Sequence, residues 1–185
     1  MSTYQELKGL KIKYLDDDTS GDRLIEGEIF YNSTTSQLKA PIGIGAWSSG
    51  GHLPVATSLM AGAGTQTAAL GFGGYKGPGT PNVVAETYDY NGILWDAAPD
   101  LNAARSGMGG TGTQTAALGF GGSTTIPRAP GEVANSEEYN GTSWTEGNNL
   151  NDALVGIGGL GTQTAAVGFG GGTPDTNATE HYDGT

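Results

Sequence analysis

An acidic stretch near the N-terminus, DDDTSGD at 16–22, has the residue types of a calcium-binding loop. Its spacing from Asp16 to Gly21 matches the first half of that loop, where carboxylate and hydroxyl oxygens surround a hard cation. The bidentate glutamate required at position twelve is missing, because Gly27 stands there. We therefore interpret the stretch as a solvated acidic turn and predict no metal site, with a loose cation site as the alternative.

Residues suited to catalysis are equally sparse. His52 and His181 are the only histidines, and each lies alone in a loop-like setting. Cysteine is absent, which excludes a cysteine nucleophile, a thiolate zinc site and a disulfide framework. The sequence also contains no G-x-S-x-G motif of a serine nucleophile elbow. We therefore predict no catalytic residue and no cofactor.

The charge balance limits the possible partners. The 185 residues include 8 Lys and Arg against 19 Asp and Glu, a formal net charge of −11. Because cationic contacts dominate binding to phosphate backbones, we expect no nucleic-acid partner. No apolar run approaches the roughly 18 residues of a membrane span, and the first residues lack the apolar core of a signal peptide. We therefore expect no membrane insertion.

An eleven-residue stretch rich in glycine occurs three times. GTQTAALGFGG occupies 64–74 and again 112–122, and it recurs at 161–171 with Val167 in place of Leu. The tryptophans repeat with the same spacing of 48 and 49 residues: Trp47, Trp95 and Trp144. A period of this length indicates an array of units, none of which buries its core alone. We therefore divide the chain into residues 1–46 and a repeat region, 47–185, with units around 47–95, 96–144 and 145–185.

Each unit has the pattern of short strands. QTAALGF (114–120) is small or apolar on both faces, which predicts a strand covered on both sides, and Gly121-Gly122 would end it. A strand around Tyr139, a turn at Asn140-Gly141 and a strand at Trp144 follow. With the segment after Leu101, this makes about four antiparallel strands per unit. The predicted class is all-β.

These landmarks resemble the kelch repeat, in which a strand ends in a Gly-Gly doublet and a Tyr and a Trp follow. Kelch units have about 50 residues, close to the period here. The resemblance implies β-propeller blades, whose small residues let neighbouring sheets approach while Phe72 and its copies fill the space between them. The Tyr-to-Trp spacing of five departs from kelch and indicates a shorter hairpin. The landmark residues are Trp47, Gly73, Gly74, Tyr90, Trp95, Gly121, Gly122, Tyr139, Trp144, Gly170, Gly171 and Tyr182.

The number of units is too small for a closed ring, since propellers have about 4–8 blades. The third unit reaches EHYDGT (180–185) before the next tryptophan is due. We expect an incomplete ring and favour an N-terminal part of a longer protein. The alternative is that the Trp47 strand completes a blade of a neighbouring chain, so that two chains form six blades.

Residues 1–46 lie outside the repeat. LKIKYL (10–15) alternates as a strand, and EGEIFYNSTTSQLKA (26–40) predicts a hairpin with the polar tip Asn32–Gln37. This hairpin resembles modules in tail fibres and other virion appendages of bacteriophages, and the following repeats resemble kelch-like repeats of cyanophages. The resemblance implies a structural protein of the virion that acts in host recognition, with 1–46 contacting other virion proteins. It also implies a homo-oligomer, with a trimer as the usual state.

The three units differ most in the loops after the second strand. These loops and the segments after each tryptophan should leave one face of the array, where binding specificity usually resides. The residues we would test first for binding a host-surface glycan or protein are Tyr75, Lys76, Arg128 and Asp175. The alternative functions are a cellular kelch-type protein-interaction module and, last, a glycan-active enzyme.

Overall fold

The computed structural model describes residues 3–7, 10–15, 30–39, 49–78, 82–126, 130–172 and 174–184. The chain divides into two compact units, Met1–Ser48 and Ser49–Thr185. Every regular element in the described ranges is a β-strand, so the predicted all-β class is confirmed. None of these ranges contains a helix long and apolar enough to cross a membrane.

The N-terminal unit contains a four-stranded sheet. The strands are β1 (Thr3–Leu7), β2 (Leu10–Leu15), β3 (Phe30–Asn32) and β4 (Gln37–Lys39), in that spatial order. The β3–β4 hairpin has the predicted polar tip, where the side-chain carbonyl of Asn32 accepts a hydrogen bond from the backbone of Thr35 at 2.9 Å. The parallel pairing of β2 with β3 was not predicted. The acidic stretch 16–22 lies outside the described residues.

The second unit contains three successive sheets, which we call blades. Blade 1 contains β5 (Ala61–Thr65), β6 (Ala68–Phe72), β7 (Thr87–Tyr90) and β8 (Trp95–Ala98). Blade 2 contains β9 (Gly109–Thr113), β10 (Ala116–Phe120), β11 (Ser136–Tyr139) and β12 (Trp144–Glu146). Blade 3 contains β13 (Gly158–Thr162), β14 (Ala165–Phe169) and β15 (Thr179–Tyr182). Strand order follows chain order and all pairing is antiparallel, which gives the predicted incomplete propeller.

One strand boundary was predicted wrongly. The strand placed over 114–120 begins two residues later, at Ala116, and Gln114 and Thr115 form the β9–β10 turn instead. The preceding Gly112 has a φ of 104°, and a Cβ there would lie 2.3 Å from the carbonyl oxygen of Ala116. The tight turn therefore requires glycine at this position.

The glycine doublets end the second strand of each blade in the left-handed region. Gly73 has a φ of 64° and Gly121 a φ of 65°. A Cβ on Gly73 would lie 2.5 Å from the carbonyl oxygen of Arg105, in the segment that enters the next blade. The doublet therefore allows the chain to turn away from the strand while lying against its neighbour.

Tyrosine and tryptophan landmarks pair across the outer hairpin of each four-stranded blade. The ring centroids of Tyr90 and Trp95 lie 4.9 Å apart, and those of Tyr139 and Trp144 lie 5.0 Å apart. The turn in blade 2 is fixed by Asn140, whose side-chain carbonyl accepts hydrogen bonds from the backbone amides of Thr142 and Ser143, both at 2.9 Å. The short spacing of five therefore makes a compact hairpin. Trp47 lies outside the described residues.

Successive blades pack face to face, with glycine opposite phenylalanine. The side chain of Phe72 is fully buried, and a Cβ on Gly119 of the next blade would lie 2.7 Å from its ring. The innermost strands approach even more closely, since a Cβ on Gly110 would lie 2.8 Å from the carbonyl oxygen of Gly62. The predicted role of the phenylalanine in filling the space between blades is confirmed for Phe72 and Phe120.

Candidate functional site: the loop edge

Two kinds of segment meet at one edge of the blades: the loops between second and third strands, and the connectors that enter the next blade. Backbone hydrogen bonds join them, from Gly74 to Arg105 at 2.8 Å and from Gly122 to Leu154 at 2.7 Å. The hairpin turns lie at the other edge, where Gly141 approaches Thr115. We call this first edge the loop edge; its described residues fall within 73–86, 99–108, 121–135, 147–157 and 170–178.

The first loop is held at its base by the preceding connector. Tyr75 exchanges two backbone hydrogen bonds with Ser58, at 2.7 and 2.9 Å, and Tyr75 is half-buried. The ammonium of Lys76 donates a hydrogen bond to Glu86, and this bond raises the pKa of Lys76 above its ordinary value. Because Glu86 already neutralises Lys76, a ligand at this loop would meet a charge-paired surface.

The second loop is anchored in the same way. Ser123 exchanges backbone hydrogen bonds with Ser106, both at 2.9 Å, and Ser106 and Ser123 are fully buried. The loop then closes on itself, since the hydroxyl of Thr125 donates to the carbonyl of Pro130 at 2.6 Å. Arg128, the predicted ligand residue of this loop, lies outside the described residues.

The third loop is shorter and is bound to blade 3 by two backbone bonds. Gly172 donates to the carbonyl of Val155, and Thr176 to that of Gly171, each at 2.8 Å. Asp175 lies exposed at the tip of this loop. Blade 2 separates it from Tyr75 and Lys76, because the inner strands contact each other only in the order β5, β9, β13. The structure therefore places Asp175 away from Tyr75 and Lys76, so these three predicted ligand residues do not share one pocket.

Sequence reasoning missed the residue that fixes the ends of the second loop. Arg105 is completely buried, and its guanidinium donates to the carbonyls of Gly121 at 2.9 Å and Asn135 at 2.7 Å, which flank that loop. A third bond joins it to the carboxylate of Glu137 at 2.7 Å. The available signal was a lone arginine in the small-residue run LNAARSG, because a buried arginine needs partners on every side.

Glu137 has a second role in positioning the connector. Its other carboxylate oxygen accepts a hydrogen bond from the backbone of Asn102 at 2.7 Å. The equivalent Glu180 of blade 3 accepts from the backbone of Asn151, also at 2.7 Å. A glutamate on the third strand therefore receives the chain as it enters the blade in both cases.

The acidic residues and histidines of the described ranges do not cluster. No group of three histidine, cysteine or acidic residues close enough to hold a metal ion occurs there. The histidines remain apart: His52 is exposed, and His181 lies exposed on β15.

Comparison with known proteins gives a likeness in fold. No family model matches the chain, and no curated protein matches it. Among solved structures, that of YjhT matches with a TM-score of 0.58 at 11% sequence identity. The match covers 82% of this chain but 47% of the YjhT chain, so the chain spans about half the length of that protein. At this identity the likeness concerns the fold alone.

Proposed function

We propose that the chain is a non-enzymatic structural protein of a bacteriophage virion, in a tail fibre or similar appendage. In this proposal residues 1–46 attach to other virion proteins, and the blades present their loops to a host-surface glycan or protein. The virion assignment rests on the resemblance of the N-terminal hairpin and the repeats to phage appendage modules.

The observation that supports a binding role is a difference in sequence repetition between the strands and turns, which we call the frame, and the loops. The strands, glycine doublets and turn glutamines repeat almost letter for letter, whereas YKGPGTPNV (75–83), STTIPRAPGE (123–132) and GTPDTN (172–177) differ. All three loops begin at the same hydrogen-bonded position beside a connector. Variation confined to such loops is typical of surfaces that select a partner.

A loop exchange tests the binding role. Replacing 123–132 with the blade 3 loop 172–177 should leave the far-ultraviolet circular dichroism spectrum unchanged, because both loops leave the same frame. We expect binding to the host cell surface to fall at least tenfold. The matched control is Ile93→Gln, which removes a 77% exposed apolar side chain at the opposite edge and should leave binding unchanged. Unchanged binding after the loop exchange contradicts the proposal.

Truncation tests the attachment role separately. A chain lacking residues 1–46 should no longer be incorporated into particles, whereas the full chain is. Incorporation that survives the truncation would remove the attachment role. A different result would favour the cellular interaction module: neither the full chain nor the truncated chain enters particles, and the blades bind a cellular protein.

A further inference from the structure

We propose that two copies of this chain associate head to tail, with the free face of blade 3 in one copy packed on the free face of blade 1 in the other. The proposal concerns the blades alone and does not depend on the virion assignment. It follows from the way the blades pack on each other. The same residues form both interfaces between neighbouring blades, and the outer faces of blades 1 and 3 carry these residues without a neighbouring blade among the described residues.

One of these residues is the phenylalanine at the end of the second strand. Phe72 of blade 1 is 0% exposed and lies over Gly119 of blade 2, and Phe120 of blade 2 is 3% exposed and lies over Gly168 of blade 3. A Cβ on Gly168 would lie 3.0 Å from the Phe120 ring. Each phenyl ring therefore needs a glycine-bearing face on the following blade.

Blade 3 carries the same phenylalanine without a following face among the described residues. Phe169 is 42% exposed, and Leu160 on the neighbouring strand is 65% exposed. In blade 2 the equivalent position is Thr111. Its hydroxyl contacts the next blade, where it donates a hydrogen bond to the carbonyl of Gly161 at 2.7 Å. The outer side of blade 3 is therefore an apolar surface with the profile of an interface.

Blade 1 carries the complementary face. A shallow concavity on its outer side is lined by β5 and β6 and includes Gly62, Gly71 and Trp95. Gly62 and Gly71 correspond to the glycines of blades 2 and 3 that lie against the preceding phenylalanine. Gly62 therefore offers Phe169 the open position that Gly110 offers Phe72, whereas Met60 and Trp95 lie 3.2 and 3.5 Å from a Cβ on Gly71 and must shift to admit the ring.

A hydrogen-bonding position is repeated in the same way. In the turn of blade 2, the side chain of Gln114 donates to the carbonyl of Tyr90 in blade 1 at 2.8 Å. In blade 3, Gln163 donates to the carbonyl of Tyr139 in blade 2 at 2.7 Å. The equivalent Gln66 of blade 1 is exposed. In the pair, Gln66 would donate to the carbonyl of Tyr182 in the other copy.

A cavity of about 180 Å³ lies between blades 2 and 3, at the position where the repeat pattern predicts a tryptophan. In the preceding interface this space holds Trp144, whose indole nitrogen donates to the hydroxyl of Thr87 at 3.2 Å and the carbonyl of Pro99 at 3.0 Å. The equivalent groups of Ser136 and Asn148 line the cavity and bond to each other at 2.6 Å. The cavity therefore has the polar and apolar walls of an indole site.

The sequence spacing identifies the indole. Trp47 precedes Leu53 by six residues, as Trp144 precedes Leu150. In the sequence repeat, Trp144 follows the third strand of blade 2 and precedes blade 3. If blade 1 of a second copy follows blade 3, Trp47 of that copy takes the corresponding place in the repeat after blade 3. Two copies of the 1–185 chain supply six blades, within the range of about 4–8 found in closed propellers, so a head-to-tail pair of this chain can close into a ring.

The first experiment measures the mass of the 1–185 chain in solution by light scattering over a dilution series. We expect a dimer. Phe169→Gln and Gly62→Leu should each weaken association at least tenfold with unchanged circular dichroism. The atom nearest to a Cβ on Gly62 is the Leu70 carbonyl oxygen at 3.5 Å, so a single chain accommodates the larger side chain. Ile93→Gln is the matched control and should associate normally.

Mixing the two variants tests the head-to-tail arrangement. Phe169→Gln keeps an intact blade 1 face, and Gly62→Leu keeps an intact blade 3 face. The mixture should therefore form a heterodimer through one intact contact, more weakly than the unaltered chain.

Three outcomes would overturn the proposal. The first is a monomer throughout the dilution series, in which case the open faces serve further blades of a longer chain. The second is a dimer that neither Phe169→Gln nor Gly62→Leu weakens. The third is a mixture of the two variants that forms no heterodimer, which would indicate contact between like faces.

Discussion

Arg105 and Glu137 show how single residues stabilise the loop edge. Both side chains are withdrawn from water, with 0% and 1% exposure, so their charges depend on each other and on the surrounding carbonyls. Leu154 replaces the arginine in the corresponding position of blade 3 and is itself buried. The ion pair is therefore a local feature of blade 2, where it joins the connector at Arg105 and Asn102 to both ends of the second loop.

We predict that Glu137→Ala lowers the free energy of unfolding by about 3–5 kcal/mol, since it leaves a buried guanidinium without its carboxylate. Urea unfolding followed by tryptophan fluorescence measures this loss. The double variant with Arg105→Leu should lose less than the sum of the two single variants, because the second change removes the unpaired charge. Glu146→Ala, at an exposed position, is the control. A loss below about 1 kcal/mol for Glu137→Ala would contradict the prediction.

Tyr182 gives a second residue-scale prediction. Its hydroxyl donates to the carboxylate of Glu138 in blade 2 at 2.6 Å, and burial, followed by this hydrogen bond, raises the pKa of Tyr182 to about 12. The protonated phenol is thus favoured by folding. Its contribution to stability is complete below about pH 10, the ordinary pKa, and disappears as the pH rises towards 12.

The measurement is the urea midpoint of the unaltered chain and of Tyr182→Phe from pH 8 upwards. We expect the difference between the two proteins to be constant to about pH 10 and to vanish by about pH 12. Tyr75→Phe, on the loop edge away from Glu138, serves as the control. A difference that persists unchanged at the highest pH would disprove this assignment.

At the scale of elements, the repeated turn GTQT joins blades as well as strands. Gln114 and Gln163 lie in identical turns, and each side chain donates to two carbonyls of the preceding blade. The repeat thus preserves a contact between blades in addition to the hairpin geometry. A neutral hydrogen bond contributes about 1 kcal/mol net, so each turn stabilises its interface modestly.

Gln163→Ala should therefore lower the free energy of unfolding by about 1–3 kcal/mol, because two carbonyl groups lose their donor. Gln66→Ala is the matched control. It alters the equivalent turn of blade 1, which has no preceding blade among the described residues. At dilutions where copies are separate, Gln66→Ala should leave the unfolding midpoint unchanged. Equal losses for the two variants would show that the glutamine acts within its own turn.

The sequence was sufficient for the elements that repeat. Spacing and glycine doublets predicted the strands around Tyr139 and Trp144, the turn at Asn140 and the burial of Phe72, since each depends on local conformation or on a periodic apolar position. The sequence was insufficient for Gln114, which alternation placed on a strand. A polar side chain that bonds to another blade carries no local signal, and its partner is known only once the blades are stacked.

At the scale of the whole molecule, a linear stack predicts uneven protection. Blade 2 has a neighbour on each side, whereas blades 1 and 3 each have one neighbour within the described residues. In arrays of this kind stability is a sum of unit and nearest-neighbour terms. The outer blades should therefore open before the global transition.

Amide hydrogen exchange in dilute solution measures this difference. We expect amides of β10 to exchange at least tenfold more slowly than those of β14, although AALGF and AAVGF are almost the same sequence. Raising the concentration should slow exchange in β14 and β6 if copies pair. Equal exchange of β10 and β14 in dilute solution would show that stability does not depend on neighbouring blades.

The exact duplication of 64–74 at 112–122 has a consequence for how this polypeptide finds its native state. Because β6 and β10 have the same sequence, their side chains cannot determine which of the two pairs with β7. Correct pairing of β7 with β6 therefore depends on the short loop that joins them and keeps them close together. At high protein concentration this preference is weaker, because the same strand of another molecule can also pair with β7. Refolding yield should accordingly fall with rising concentration, through exchanged strands that retain native-like secondary structure.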